Sequence, residues 1–161
     1  MTGLEIARAL EHTPLAVAIA KSNWFFPLLE TLHVLAFTVV VGSVAMLDVR
    51  LLGLGNMRRS ITELTRSVLP WTWSAFVVAA ICGAMLFISK ASTYYVNIPF
   101  RIKFACLVLA AANMLIFHWG ARGTLAWDIG PPPVRARIAG AISLALWIAI
   151  VSSGRWIGFT T

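Results

Sequence analysis

Charged side chains are scarce in this sequence: only 12% of its 161 residues are Asp, Glu, Lys or Arg, whereas 60% are hydrophobic. A water-soluble chain usually carries about twice that share of charge. The length suits a single domain, 1–161. We therefore expect lipid rather than water to surround most of the protein, which excludes an ordinary soluble fold.

Cysteine is also rare. Cys82 and Cys106 both lie inside apolar runs with no CxxC spacing, which argues against a disulfide framework and a cysteine metal site. The net charge is +7, but the basic residues stand at the ends of apolar runs and form no continuous stripe. This arrangement argues against nucleic acid as a partner and favours the lipid bilayer with its anionic head groups.

Long apolar runs are what the sequence has in abundance. Four of them approach the roughly 20 residues that a helix needs to cross a bilayer. Backbone groups in lipid must be bonded within their own segment, so we expect helices. With their flanking aromatic residues and prolines, the predicted spans are approximately 24–52, 68–89, 99–120 and 134–154. The predicted class is all-α, an integral membrane four-helix bundle.

The ends of the spans carry residues typical of the membrane interface. Trp24 precedes the first span, Pro70 and Trp71 are predicted to open the second, and Pro99 suits the first turn of the third. The N-terminal segment, 3–21, mixes apolar and charged residues and is predicted to form a short interfacial helix on the membrane surface.

Basic residues in the first and third connections slightly outnumber those on the other side. Short cytoplasmic loops are enriched in Lys and Arg. We therefore predict a multi-pass protein of the bacterial inner membrane with both termini in the periplasm.

Ionisable residues at membrane depth are candidates for function because burying them in lipid costs several kcal/mol. Glu30 and His33 are three residues apart and share a helix face. Carboxylate-bridged metal bundles use this spacing, but they need a second copy that the chain lacks. The structural alternative is that His33 hydrogen-bonds to Glu30 or to a backbone carbonyl of a neighbouring helix.

Haem b is the cofactor that the sequence favours, because a helical bundle can hold a porphyrin between axial ligands while basic side chains pair with its propionates. His33 and His118 are the two histidines within the predicted spans, and the propionate partners are Arg101, Lys103 and Arg155.

The two histidines lie at different depths. At about 1.5 Å per residue, His33 is roughly 13 Å inward from Trp24 and His118 roughly 28 Å inward from Pro99, so they do not face one iron. Either a single haem uses His33 with Met85 or with an open position, or His118 serves a separate inner site. The structural alternative for His118 is a place at the cytoplasmic interface beside Trp119.

Other polar and small residues favour structural roles. Asp48 and Arg50 are expected to form an ion pair that fixes the inner end of the first span. Gly42 and Gly83 permit close approach of helices, and such faces also permit homo-oligomers.

The sequence resembles a family of small bacterial membrane proteins of unknown function. The residues that carry this resemblance are Glu30-Thr-Leu-His33-Val, Gly42, Asp48-Val-Arg50-Leu-Leu-Gly53, Asn97-x-Pro-Phe-Arg-Ile-Lys103 and Ser153-Gly-Arg155-Trp-Ile-Gly. The Leu32-His33 helix and the Phe-x-x-Lys103 helix are also distantly similar to copper-resistance D-type proteins and to the four-helix membrane protoporphyrinogen oxidase. That second resemblance implies a haem-binding or redox role for His33, with Lys103 as its companion.

These observations predict a b-type haem or quinone-interacting protein that transfers electrons between the membrane and a periplasmic or membrane redox partner. One alternative is passage of copper or a small solute through the bundle. Another is a cofactor-free structural or oligomerisation subunit of a membrane complex. The sequence does not decide whether the chain is an enzyme.

Overall fold

The computed structural model describes residues 2–54, 60–121 and 130–160, and of residues 118–121 the backbone alone. All regular structure in this part of the chain is helical, which confirms the predicted all-α class. The helices are α1 (Gly3–Glu11), α2 (Pro14–Lys21), α3 (Phe25–Leu51), α4 (Ile61–Ser89), α5 (Ala91–Val96), α6 (Ile98–Ala121) and α7 (Val134–Thr160).

Helices α3, α4, α6 and α7 are long and apolar enough to cross a bilayer, with mean hydropathy between 1.8 and 2.0 over their most apolar windows. Few residues of these windows are buried inside the protein. Leu35, Phe104 and Ile148, for example, are each at least 60% exposed. An apolar surface this extensive is typical of a lipid-facing protein, so the chain is a multi-pass membrane protein.

The four long helices form two antiparallel pairs. Helix α3 packs along α4, and α6 packs along α7, while α3 also packs against α7 and joins the two pairs. Within the described residues, α4 and α6 scarcely touch each other. These two helices meet through side chains, as where the rings of Phe87 and Phe100 stack.

Three short helices cover one end of the bundle, which we call the capped end. Helix α1 packs on α5 and α4, and α2 packs on α4 and α3. Glu11 fixes this arrangement because its Oε1 atom accepts hydrogen bonds from both the backbone and the hydroxyl group of Ser92, each 2.8 Å long. Beneath α2 lies a small apolar core of Ile19, Leu29 and Cys82.

The N-terminal segment forms two helices where the sequence analysis predicted one. Thr13 ends the first helical stretch and caps the second, its hydroxyl accepting a hydrogen bond from the backbone of Ala16. Pro14 follows at the first position of α2. It has no N–H to donate to Leu10, so a continuous helix is broken here.

The second long helix begins before Pro70, so the prediction that Pro70 opens it is wrong. Ser60 caps α4 by accepting a hydrogen bond from the backbone of Glu63, and Pro70 lies in the helix interior. Transmembrane helices tolerate an interior proline because neighbouring side chains and local adjustments satisfy the freed backbone groups. Pro99 lies in the first turn of α6, as predicted.

Candidate functional site

The His33 ring lies between α3 and α4, and its Nδ1 atom is 2.8 Å from the backbone oxygen of Ala79. A carbonyl oxygen only accepts hydrogen bonds, so Nδ1 carries the proton and donates it. In the neutral ring this leaves Nε2 with a free lone pair. The structural alternative named for His33, a bond to a backbone carbonyl of a neighbouring helix, is confirmed.

Gly83 is the residue that makes room for this ring. A Cβ atom built on Gly83 would lie 2.9 Å from His33 Cε1 and 3.2 Å from Nδ1. Ala79 and Gly83 are one helical turn apart, so the hydrogen-bond acceptor and the open space lie on the same face of α4. The glycine was expected to permit close helix packing, and here it admits a side chain.

Aromatic and cationic side chains from three helices lie next to the His33 ring or to one another. The Phe37 ring stacks on His33 with 6.0 Å between centroids, and Trp147 of α7 lies 5.9 Å from Phe37. The Lys103 ammonium of α6 stands 5.1 Å from the Phe37 centroid and next to Gly154.

We call His33, Phe37, Lys103 and Trp147 the His33 cluster. Lys103 and Glu30 lie close enough to His33 to interact with its ring electrostatically. The cluster combines a nitrogen lone pair, a cation and aromatic faces in the half of the bundle next to the capped end. Such a combination suits a planar ligand that carries negative charge or carbonyl oxygens.

The other predicted propionate partners lie outside this cluster. Arg155 is exposed, and its guanidinium group stands 4.7 Å from the Phe159 centroid. Arg101 is exposed on α6, two residues before Lys103 and therefore on a different helix face. The structure thus places Lys103, but neither arginine, beside Phe37.

Met85, a second predicted iron ligand, lies apart from His33. Met85 packs against the apolar core of Ile19, Leu29 and Cys82, and it follows Gly83 by two residues, about 200° around α4. His118 belongs to α6, fifteen residues or about 22 Å along the helix from Lys103, and its side chain lies outside the described residues. Within the described part of the chain, no group of three or more His, Cys, Asp or Glu could hold a metal ion.

A groove of about 400 Å³ lies near the capped end of the bundle, between α4, α5 and α6. Its lining residues are Phe87, Tyr95, Phe100, Arg101, Phe104 and Ala105. Phe87 follows Gly83 by one turn of α4, so the groove and the His33 ring lie on the same face of that helix. The Phe87 and Phe100 rings stack with 5.4 Å between their centroids, so much of the lining is aromatic.

Tyr94 of α5 lies next to this groove. Its ring stacks on Phe87 and Phe100. Burial raises the pKa of the Tyr94 phenol, and the negative charge of Glu30 raises that pKa further. The Glu30 carboxylate therefore lies near enough to both Tyr94 and the His33 ring to act on them electrostatically.

A second polar group lies near the opposite end of the bundle. Asp48 and Arg50 are each 4% exposed. Ser143 of α7 donates a hydrogen bond to the Asp48 carboxylate, and Arg50 Nη1 donates to the Gly130 oxygen at 3.3 Å. Among the described residues, Asp48 and Arg50 therefore bond to partners on other segments and not to each other. Residues two apart on a helix point in different directions.

Sequence reasoning missed Phe37, Trp147 and Ser143. Phe37 had a usable signal, because it follows His33 by four residues and so shares its helix face. The sequence carried no signal for Trp147 or Ser143, because the residues that they contact lie on another helix.

The fold and the site define a multi-pass helical membrane protein with a polar cluster held inside an apolar bundle. Residues 20–160 match the family of unknown function DUF6644, and the chain belongs to that family. No curated protein and no solved structure matches the chain. The resemblance to copper-resistance D-type proteins and to the membrane oxidase thus stays a prediction.

Proposed function

We propose that this protein transfers electrons in the membrane and that His33 Nε2 is the ligand for a b-type haem. The single observation that carries the proposal is the hydrogen bond from His33 Nδ1 to the Ala79 oxygen. Histidines that ligate metals commonly donate their other ring N–H to a carbonyl, which orients the ring and fixes its tautomer. Gly83 supports the same orientation because it leaves space for the ring.

The residues present fit one side of a haem. His33 would supply an axial nitrogen, and Lys103 would pair with a propionate. None of the described side chains provides a second axial nitrogen near His33. The haem would supply a reversible one-electron iron couple.

The bacterial inner membrane and the periplasmic termini belong to the same proposal. The contact between Asn97 and Thr160 brings the start of α6 to the end of α7, at the end of the bundle that α1 and α2 cover. This arrangement supports the placement of both termini on the same side of the membrane. The bias of basic residues assigns that side to the periplasm, although Arg58, Arg59 and Arg122 lie outside the described residues.

An absorption spectrum of the protein, purified from cells supplied with haem, tests the proposal. We expect a Soret band in the wild type, its loss in His33→Ala and its retention in His12→Ala, because His12 is exposed just beyond α1. Lys103→Met should keep the band but weaken haem retention. A wild type without a Soret band would refute haem binding.

The same variants separate the remaining alternatives. Copper that co-purifies with the wild type and is lost in His33→Ala would favour the transport hypothesis. A chain that holds no cofactor and whose complexes assemble unchanged in His33→Ala would favour the structural subunit.

A quinone is the second candidate ligand, and the groove between α4 and α6 favours it. The aromatic lining suits a quinone ring, and the exposed apolar surface of α6 at Phe104 would let an isoprenoid tail remain in lipid. A photoreactive quinone should label the groove residues, and Ala105→Trp should block the labelling. Val151→Trp, on the exposed surface of α7, is the matched control and should leave the labelling unchanged.

A further inference from the structure

Among the buried side chains of residues 2–54, 60–117 and 130–160, Asp48 stands out because one of its oxygens has no hydrogen-bond partner. The residue is 4% exposed, three residues before the end of α3. Ser143 donates a hydrogen bond to the carboxyl group, yet Oδ2 makes no hydrogen bond. A buried carboxylate with an unsatisfied oxygen is unfavourable in a membrane, whereas a protonated carboxyl group removes the buried charge.

Among the residues that the structure describes, the neighbours of Asp48 do not neutralise a negative charge. From α7 it faces the Ser143 hydroxyl group and the backbone of Gly140. On α3 itself, Arg50 donates to the Gly130 oxygen. The charged residues described nearest this end of the bundle are exposed and do not act on the Asp48 carboxyl: Glu63, Arg66, Arg135 and Arg137.

Gly140 allows α3 and α7 to pack closely beside Asp48. A Cβ atom on Gly140 would lie 2.9 Å from Leu51 Cβ and 3.1 Å from the backbone oxygen of Asp48, so α3 and α7 cross in close contact here. The close crossing brings Ser143, less than one turn further along α7, to the carboxyl group. At about 1.5 Å per residue, Asp48 is only about 5 Å from the last residue of α3, within reach of the membrane surface.

We propose that Asp48 is a proton-binding site, whose carboxyl group holds a proton in the resting protein and exchanges it with water at the end of α3. Proton uptake converts the carboxylate to a neutral carboxylic acid, and release returns the proton to the aqueous phase. The Ser143 hydroxyl group donates to the carbonyl oxygen in both states. The site is separate from the His33 cluster, since Asp48 follows His33 by fifteen residues, about 22 Å along α3.

Infrared spectroscopy of the protein in lipid nanodiscs, labelled with ¹³C-carboxyl aspartate, tests this proposal. The sequence contains only Asp48 and Asp128, and Asp128 lies outside the described residues. At neutral pH we expect a protonated carboxylic acid band that shifts with the label, is absent in Asp48→Asn and persists in Asp128→Asn. A wild type that shows only carboxylate bands, or a band that survives in Asp48→Asn, overturns the proposal.

Ser143→Ala keeps the test decisive if Asp48→Asn does not fold. Loss of the donated hydrogen bond should shift the acid band to higher frequency and raise the pH at which it disappears. A band with unchanged frequency and midpoint in Ser143→Ala would equally overturn the assignment, because Ser143 is the hydrogen-bond donor to this carboxyl group.

Discussion

Asn97 hydrogen-bonds to Thr160 across 63 residues of sequence, and the bond joins the start of α6 to the end of α7. The Nδ2 atom of Asn97 donates to the Thr160 hydroxyl group at 2.9 Å and to its backbone oxygen at 3.3 Å. The Oδ1 atom accepts from the backbone of Phe100 and caps α6. One amide thus holds two helix ends together.

Substitutions of Asn97 should separate these two roles. Serine caps helices about as well as asparagine but cannot reach Thr160 with a second donor. We expect Asn97→Ser to cost about 1 kcal/mol of unfolding free energy and Asn97→Ala about 1 kcal/mol more, for the lost cap. Unfolding in mixed micelles measures both. Equal losses in the two variants would contradict the capping role.

The space for the His33 ring predicts a specific effect of Gly83→Ala. The new methyl group would clash with the His33 ring and push it away from Ala79. The ring has little room to adjust, because it is also held by its stack on Phe37. We expect a loss of about 1–3 kcal/mol from overpacking, together with weaker haem retention. The matched control is Gly42→Ala, since a Cβ atom there meets nothing within 4 Å. A stable Gly83→Ala that retains haem would argue against the fixed ring.

Much of the fold was predictable, because lipid imposes a simple requirement on the chain. The long apolar runs between charged residues gave the four helices, since an unpaired backbone is not tolerated in hydrocarbon. The start of α4 was missed because residues 61–67 are too polar to extend an apolar run. Ser60, with Glu63 three residues later, is a helix-start signal that would have corrected it.

The site was predictable only in part. His33 and Lys103 stand out as ionisable residues in apolar surroundings, and such residues can be found from sequence. Their partners Ala79 and Gly154 cannot, because helix rotation and register are decided by packing between segments distant in sequence. The hydrogen bond between Asp48 and Ser143 could not be predicted for the same reason, because Ser143 lies on another helix.

The close crossing of α3 and α7 predicts that Gly140→Ala is destabilising. A methyl group at Gly140 meets Leu51 and the backbone of Asp48, and backbone atoms cannot rotate away as a flexible side chain does. We expect a loss of about 1–3 kcal/mol. Gly158→Ala is the control on the same helix, because its Cβ atom would meet nothing within 4 Å. Thermal unfolding in detergent measures the difference, and equal stability of the two variants would contradict the crossing.

Tyr94 gives the last prediction, through its contact with the charge of Glu30. Burial and that charge both raise the pKa of the phenol, so the folded state favours the neutral form. The resulting stability is fully present below the ordinary tyrosine pKa of about 10 and is lost as the pH rises through the raised value. Glu30→Gln removes the repulsion and should lower the pKa of Tyr94 toward its ordinary value.

The absorbance of tyrosinate in a Tyr95→Phe background measures this pKa for Tyr94 alone, because the chain contains only these two tyrosines. Glu63→Gln is the matched control, since Glu63 lies in the first turn of α4, at the opposite end of the bundle. Its removal should leave the pKa of Tyr94 unchanged. An equal pKa in Glu30→Gln and Glu63→Gln would mean that the Glu30 carboxylate does not act on Tyr94, and the placement of that charge beside the His33 ring would lose its independent support.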